Sequence, residues 1–324
     1  MLNFEAFRDY VLENVLRAFP KEYEGAQVRI EKVAKANTER YGLTIRMEDI
    51  SITPNLYLEA YYDDYVNGQP LDNVMDNIAH NYQEAVKECH VPEGIGGSFS
   101  DWEYVRAHVV FDVVGREQNA EFNKNRPNRD YLDLSIIYRV VIGVDEKGLM
   151  SSVVTNDIID KLGVTEEDLY QAAYENTKNL YEPKIANLAE VLGSMMGEDM
   201  GPCPLFMLSN DFSINGASMI VYDDVLQDLT DRVMGPLYDD GDTRQLIIFP
   251  SSRHEVLALN AADCDDIEYC QSMVQDINSA CVALEDRLSN NIYLYDAMKH
   301  ELSLATDVPN KRLDDVEQTK EKAI

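Results

Sequence analysis

The chain has 324 residues, enough for one large or two ordinary domains with a real core, and its 45% hydrophobic and 27% charged content is globular. The formal net charge of −31 is its strongest departure: such a surface repels nucleic-acid phosphates and anionic membranes, so its ordinary reading is solubility alone and its specific one is a basic protein partner. No run reaches the roughly 20 apolar residues of a membrane span, no basic leader is visible and the five cysteines form no CxxC pair, so the expectation is a cytoplasmic protein with reduced thiols.

In chain order, Phe4, Phe7, Val11 and Val15 fall at helical spacing, and Pro20 ends that helix. Val28–Val33 and Leu43–Met47 alternate as strands across the polar turn at 37–40, and Leu56–Ala60 is expected as a third strand. The knot formed by Tyr57, Tyr61, Tyr62, Asp63, Asp64 and Tyr65 has two readings. Half-buried packing tyrosines are the ordinary one, and a grip on a cationic ligand is the chemical one. A helix from Pro70 to about Lys87 buries Leu71, Val74, Met75, Ile78 and Tyr82. Cys89 and His90 at its end are two adjacent potential ligands, short of a metal site by two more. The glycine-rich stretch Glu93–Ser98 is a candidate hinge without the context of a phosphate loop.

Tyr104–Val114 and Leu132–Val144 are expected as long strands, joined by a polar bridge at 119–130. Within that bridge Arg126 and Arg129 are candidates to hold a phosphate or carboxylate bidentately, and the alternative is internal pairing with some of the 59 acids. Met150–Val154 continues a hairpin, Thr165–Asp168 caps a helix running to about Leu180, and Ile185–Met196 reads as helix or partly strand.

The segment 203–259 gives strand, turn, strand, helix, strand, turn, strand, with Ala217–Tyr222 as its second strand and Asn215-Gly216 as its first turn. It holds the one compact polar cluster, Ser251, Ser252, Arg253, His254 and Glu255. Ser252 and His254 are the candidate nucleophile and base of a hydrolase, since residues two apart share a strand face, with Asp223 or Asp224 as orienting acid. No G-x-S-x-G elbow supports this, and a hydroxyl pair after Pro250 is ordinarily a turn that bonds its own backbone. Beyond it, Ile267, Cys270, Met273, Val274, Ile277, Cys281 and Val282 mark a buried helix face, which makes Cys270 and Cys281 small buried hydrophobes. Ile292–Tyr295 is a last strand, and a charged tail starts at about Pro309.

The fold class expected is α+β, with mostly antiparallel sheets and helices packed on one face, divided into a lobe at 1–95, a body at 96–308 and a tail at 309–324. The five histidines are dispersed and no HExxH or EF-hand spacing occurs, so neither a metal nor a cofactor is expected.

Several stretches together resemble a bacterial family catalogued as domain of unknown function 5688: MLNFEAFRDYVLENV, GLTIRMEDISITPNLYLEAYYDDY, NRPNRDYLDLSIIYRVVI, NGASMIVYDDVLQDL, FPSSRHEVLAL and LSNNIYLYD. The resemblance covers nearly the whole chain. It implies an intracellular protein of anaerobic gut bacteria or their mobile elements, and it carries no catalytic assignment onto these residues. A remoter likeness, in the Ser-Ser-x-His arrangement, is to domain of unknown function 1444. The function expected is therefore a non-catalytic acidic interaction protein whose partner is basic, such as a nucleic-acid-binding protein, with the Ser252/His254 hydrolase as the alternative.

Overall fold

The computed structural model describes residues 1–47, 54–88, 99–145, 148–235 and 244–307. The Cys89–His90 pair, the 93–98 hinge and the tail from Pro309 lie outside them. The chain forms two compact units, Met1–Val105 with Asp160–Leu162, and Arg106–Ile159 with Gly163–Ile324. Its elements are α+β with antiparallel sheets throughout.

In the first unit, α1 (Phe4–Asn14) is capped by the Asn3 side chain, which accepts from the Ala6 amide at 2.9 Å. Its stripe of Phe7 and Val11, continued by Val15, is fully buried. It packs with Leu43 and Ile45 of a three-stranded sheet, β1 (Gln27–Lys35), β2 (Thr38–Arg46) and β3 (Leu56–Tyr57). Among the described residues, third-strand pairing ends at Leu43, and the backbone of Ile45 needs other partners on that side. Tyr82, on α3 (Leu71–Glu88), supplies them: its buried hydroxyl accepts from the Ile45 amide at 2.9 Å and donates to the Ile45 carbonyl at 2.8 Å.

The expected third strand is only two residues long, because Leu58–Val66 is helical (α2), with Leu58 and Tyr61 buried at a spacing of three rather than two. Tyr57 of the tyrosine knot ends β3 and the remainder lies on that helix, where three of its tyrosines bond internally. Tyr65 accepts from the Leu2 amide at 2.8 Å, Tyr62 donates to the Leu2 carbonyl at 3.2 Å, and Tyr61 accepts from Asn81 at 2.9 Å.

Trp102–His108 forms a helix (α4) where a strand was expected; the Asp101 carboxylate accepts from the Glu103 amide at 3.0 Å and starts it. In the second unit β4 (Val109–Gly115) then pairs with the twelve-residue β6 (Leu134–Asp145). The opposite edge of β6 is shared end to end by β5 (Asn128–Tyr131) and β7 (Gly148–Val153). Single-turn α5 (Ala120–Asn123) precedes β5, and α6 (Asn156–Leu162) follows β7. Helix α7 (Glu166–Leu180) opens with a capping box between Thr165 and Asp168 and shields the outer edge of β4. There the Thr177 hydroxyl accepts from the Phe111 amide at 2.8 Å, and Asn176 donates to the Val109 carbonyl at 2.9 Å.

The segment 185–196 is strand and then helix: β8 (Pro183–Asn187) leads into α8 (Leu188–Met196). A six-stranded sheet follows in the order β13-β12-β10-β11-β9-β8, with β9 (Phe206–Asn210), β10 (Gln245–Phe249), β11 (Val256–Asn260), β12 (Tyr293–Asp296) and β13 (Glu301–Leu304). Where a strand was expected at Ala217–Tyr222, Gly216–Val221 form a 3-10 helix whose Ala217, Met219 and Ile220 are all fully buried. A short apolar run buried on every side has no period by which to tell strand from helix. Helix α9 (Asp223–Met234) lies across β8, β9 and β11. A second helix, α10 (Ile267–Ala280), adds Val274 to a cluster with Ile247, Phe249, Ile292 and Leu294.

Candidate functional site

The turn between β10 and β11 is built from its own hydroxyls. Ser251 donates to the Glu255 carbonyl at 3.0 Å, Ser252 donates to the Glu255 carboxylate at 2.7 Å, and the same Ser252 oxygen accepts from the His254 amide at 2.9 Å. The Ser252 proton therefore goes to Glu255 and not to the imidazole. The His254 ring turns the other way: its Nδ1 accepts from the Asn215 amide at 3.2 Å, which leaves the proton on Nε2, 3.1 Å from Asp286 Oδ1. Asp223 bonds Tyr295 at 2.6 Å and His300 at 2.8 Å, and Asp224 pairs with Lys178. Neither acid is among the partners of His254, whose orienting acid is Asp286.

Between Ser252 and His254, Arg253 points inward. Its Nη2 lies 3.8 Å from Asp112 Oδ2, and Arg139 Nε lies 3.7 Å from the same oxygen. Asp112 sits in the middle of β4 and is wholly buried. Burial pulls the Arg253 guanidinium below its usual value. The backbone reinforces this latch, since the Arg253 amide donates to the Asp286 carbonyl at 2.8 Å and the Arg253 carbonyl accepts from Ala217 at 3.2 Å. Gly216 makes this approach possible: a Cβ there would stand 2.4 Å from the His254 carbonyl oxygen.

The two arginines of the polar bridge part company. Arg129 makes a bidentate pair with Glu166 at 3.1 and 2.9 Å, bonds Glu167 as well, and stacks on Tyr170 at 3.8 Å. The Glu166 hydrogen bond is the main reason its guanidinium is held more firmly protonated than usual. Arg126 instead donates to the Phe122 carbonyl and lies 3.9 Å over the Phe122 ring, and burial lowers its proton affinity. It lines an open cavity of about 550 Å³ within the second unit, together with Arg116, Asn123, Lys124, Asn128 and Ser135.

The most distinctive surface is on α10, which the sequence reading placed largely indoors. Its buried positions are Val274 and Asn278, while Tyr269, Met273 and Ile277 are 68%, 40% and 46% exposed. Spaced four residues apart, these three form one outward apolar stripe. Cys281 is exposed as well. From Asp263 to Asp286 the chain carries seven carboxylates (263, 265, 266, 268, 276, 285 and 286) and no lysine, arginine or histidine. That run of one sign was visible in the sequence and is the signal that could have found the surface.

Among the described residues, no group of three His, Cys, Asp or Glu side chains is placed to hold a metal ion, and no helix is long and apolar enough to cross a membrane. An antiparallel α+β protein with an acid-rimmed apolar helix face is the class these features define. The chain belongs to the family of unknown function DUF5688, whose profile matches residues 4–297. No curated protein and no solved structure matches it.

Proposed function

We propose that this is a non-catalytic interaction protein, cytoplasmic and of bacterial or mobile-element origin, that receives a basic amphipathic helix of a protein partner on α10. The observation that carries the reading is the exposed stripe Tyr269, Met273 and Ile277 inside a segment with seven carboxylates and no cation. The apolar face of an amphipathic helix docks on such a stripe, methionine adapts to its shape, and the flanking acids meet its lysines and arginines. Nucleic-acid-binding proteins carry basic helices of this kind. The net charge of −31 speaks against direct nucleic-acid binding and favours fast, salt-sensitive association with a cationic partner. This reading is preferred to a hydrolase because Ser252 and His254 spend their hydrogen bonds on Glu255, Asn215 and Asp286.

The test is fluorescence anisotropy with a labelled amphipathic Lys/Leu helical peptide and a scrambled peptide of equal charge. Binding should favour the amphipathic form, weaken with salt, and fall at least about tenfold in Met273→Ser and in Glu268→Lys/Asp276→Lys. The control Asp72→Lys/Asp76→Lys makes the same change in charge on α3 and should bind as the wild type does. Equal losses in both charge-reversed proteins, or equal binding of the two peptides, would reduce the surface to a diffuse counter-charge and refute the proposal.

A further inference from the structure

We propose that the cavity beside Arg126 binds a phosphorylated small molecule that also carries hydroxyl or amine donors. Three buried polar atoms on residues of its wall lack hydrogen-bond partners: Arg126 Nε, Ser135 Oγ and Asn123 Oδ1. Ser135 is fully buried and Asn123 is 7% exposed, so bulk water does not satisfy them. Eleven buried polar side-chain atoms among the described residues lack such partners, and the gathering of three of them on residues of one cavity wall points to a missing ligand.

Their chemistry names it. Arg126 is a partly desolvated guanidinium turned to a carbonyl and a ring rather than to a carboxylate, in a chain with 59 acids. The neighbouring cations Arg116 and Lys124 are paired, with Asp130 at 3.1 Å and Glu121 at 2.8 Å, yet stand on the same wall. Glu166 is on the same wall but is taken up by Arg129, so the three cations provide for an oxyanion, with the Ser135 hydroxyl as a further donor. The Asn123 oxygen, an acceptor only, requires a ligand N–H or O–H. A volume of about 550 Å³ admits a molecule well beyond bare phosphate.

Calorimetry and thermal shift on the full chain, with ribose 5-phosphate, ribose and inorganic phosphate as probes, decide the matter. Ribose 5-phosphate should bind and raise Tm, ribose should do neither, and phosphate should bind more weakly. Arg126→Gln should weaken the sugar phosphate at least about tenfold, as expected for the loss of a charged hydrogen-bond partner. Arg126→Lys, which keeps the charge but loses Nε, is the second variant should the first not fold, and it should also bind more weakly. Unaltered affinity in a folded Arg126 variant, no response to either phosphate, or phosphate binding as tightly as the sugar phosphate overturns the proposal.

A separate contact carries a second proposal. Cys264 Sγ, in the segment before α10, and Cys270 Sγ, in its first turn, lie 3.1 Å apart and are both partly buried. We infer that they form an oxidisable dithiol. The Cys270 thiolate attacks a low-molecular-weight disulfide and releases one small thiol; Cys264, giving up its proton, then displaces the second and closes the bond. The two protein thiols are oxidised and the reagent is reduced to two thiols. After treatment with oxidised glutathione, mass spectrometry should find a 264–270 cross-linked peptide two hydrogens lighter, absent in Cys264→Ser. A lasting glutathione adduct on Cys270, or both thiols still free to alkylate, refutes it.

Discussion

Arg253 Nη2 stands 3.8 Å from Asp112 Oδ2, so a turn between two strands of the six-stranded sheet reaches into the centre of β4 in the four-stranded one. A buried carboxylate tolerates its surroundings only with compensating charge, and Arg253 and Arg139 provide it. Arg253→Met should destabilise the protein by about 3 kcal/mol, the cost of stranding a buried charge. Adding Asp112→Asn should recover part of the loss. Urea unfolding of the single and double variants measures both effects.

Asp133 makes a second tie of this kind. It accepts from Asn291 at 3.0 Å, from Tyr293 at 2.9 Å and from the Ser289 hydroxyl. Burial, and then the charge of Asp133, keep the Tyr293 phenol protonated and donating. Asp133→Ala leaves these donors unmatched and should cost about 2–4 kcal/mol, since hydrogen bonds to charged groups contribute about 1.5–3 kcal/mol each and do not add. Asp133→Asn should lose less. Denaturant midpoints give the comparison.

Asp223 sets a pH signature. The Tyr295 hydroxyl, and after it His300, hold its carboxyl below the usual range. A folded-state value lower than the unfolded one gives stabilisation that is present above about pH 4 and lost as pH falls through the folded value. The advantage of the wild type over Asp223→Asn should therefore be full near neutrality and shrink in acid. Melting temperatures of the two proteins across the acid range, differenced, isolate this group from the other carboxylates; parallel curves would contradict it.

Thiol reactivity should follow exposure. Burial, and then the hydrogen bond to Cys270, push the Cys264 thiol up to about 12, whereas Cys281 is exposed. Timed iodoacetamide labelling of the reduced protein should modify Cys281 early and Cys264 late.

How much of this was legible follows from the distance over which each feature is decided. The α1 stripe, the β1–β2 hairpin and the Thr165–Asp168 capping box rest on local period and spacing, and each reads directly from the residues. The Ser251–Glu255 turn was likewise legible as a turn bonding itself. The choice of partners was not. His254 finds Asn215 and Asp286, and Arg129 finds Glu166, across more than 30 residues, and 59 acids offered no means of choosing among them. On α10 the apolar residues outnumber those its neighbours cover, so Val274 is buried while Met273 and Ile277 are left outside.

The Asn215–Gly216 step gives the latch a lifespan. In a flexible chain the nitrogen of a glycine attacks the preceding asparagine amide, ammonia leaves, and hydrolysis of the ring yields aspartate or its isomer. Here Asn215 is fixed at φ 54° with its side-chain oxygen accepting from Arg253 at 3.3 Å, and the Gly216 backbone is pressed against His254. The folded turn thus protects its own weakest bond. Each opening starts an irreversible chemical clock, and each conversion adds a negative charge beside Arg253, so age would be written into this protein as a growing acidic fraction resolvable by isoelectric focusing.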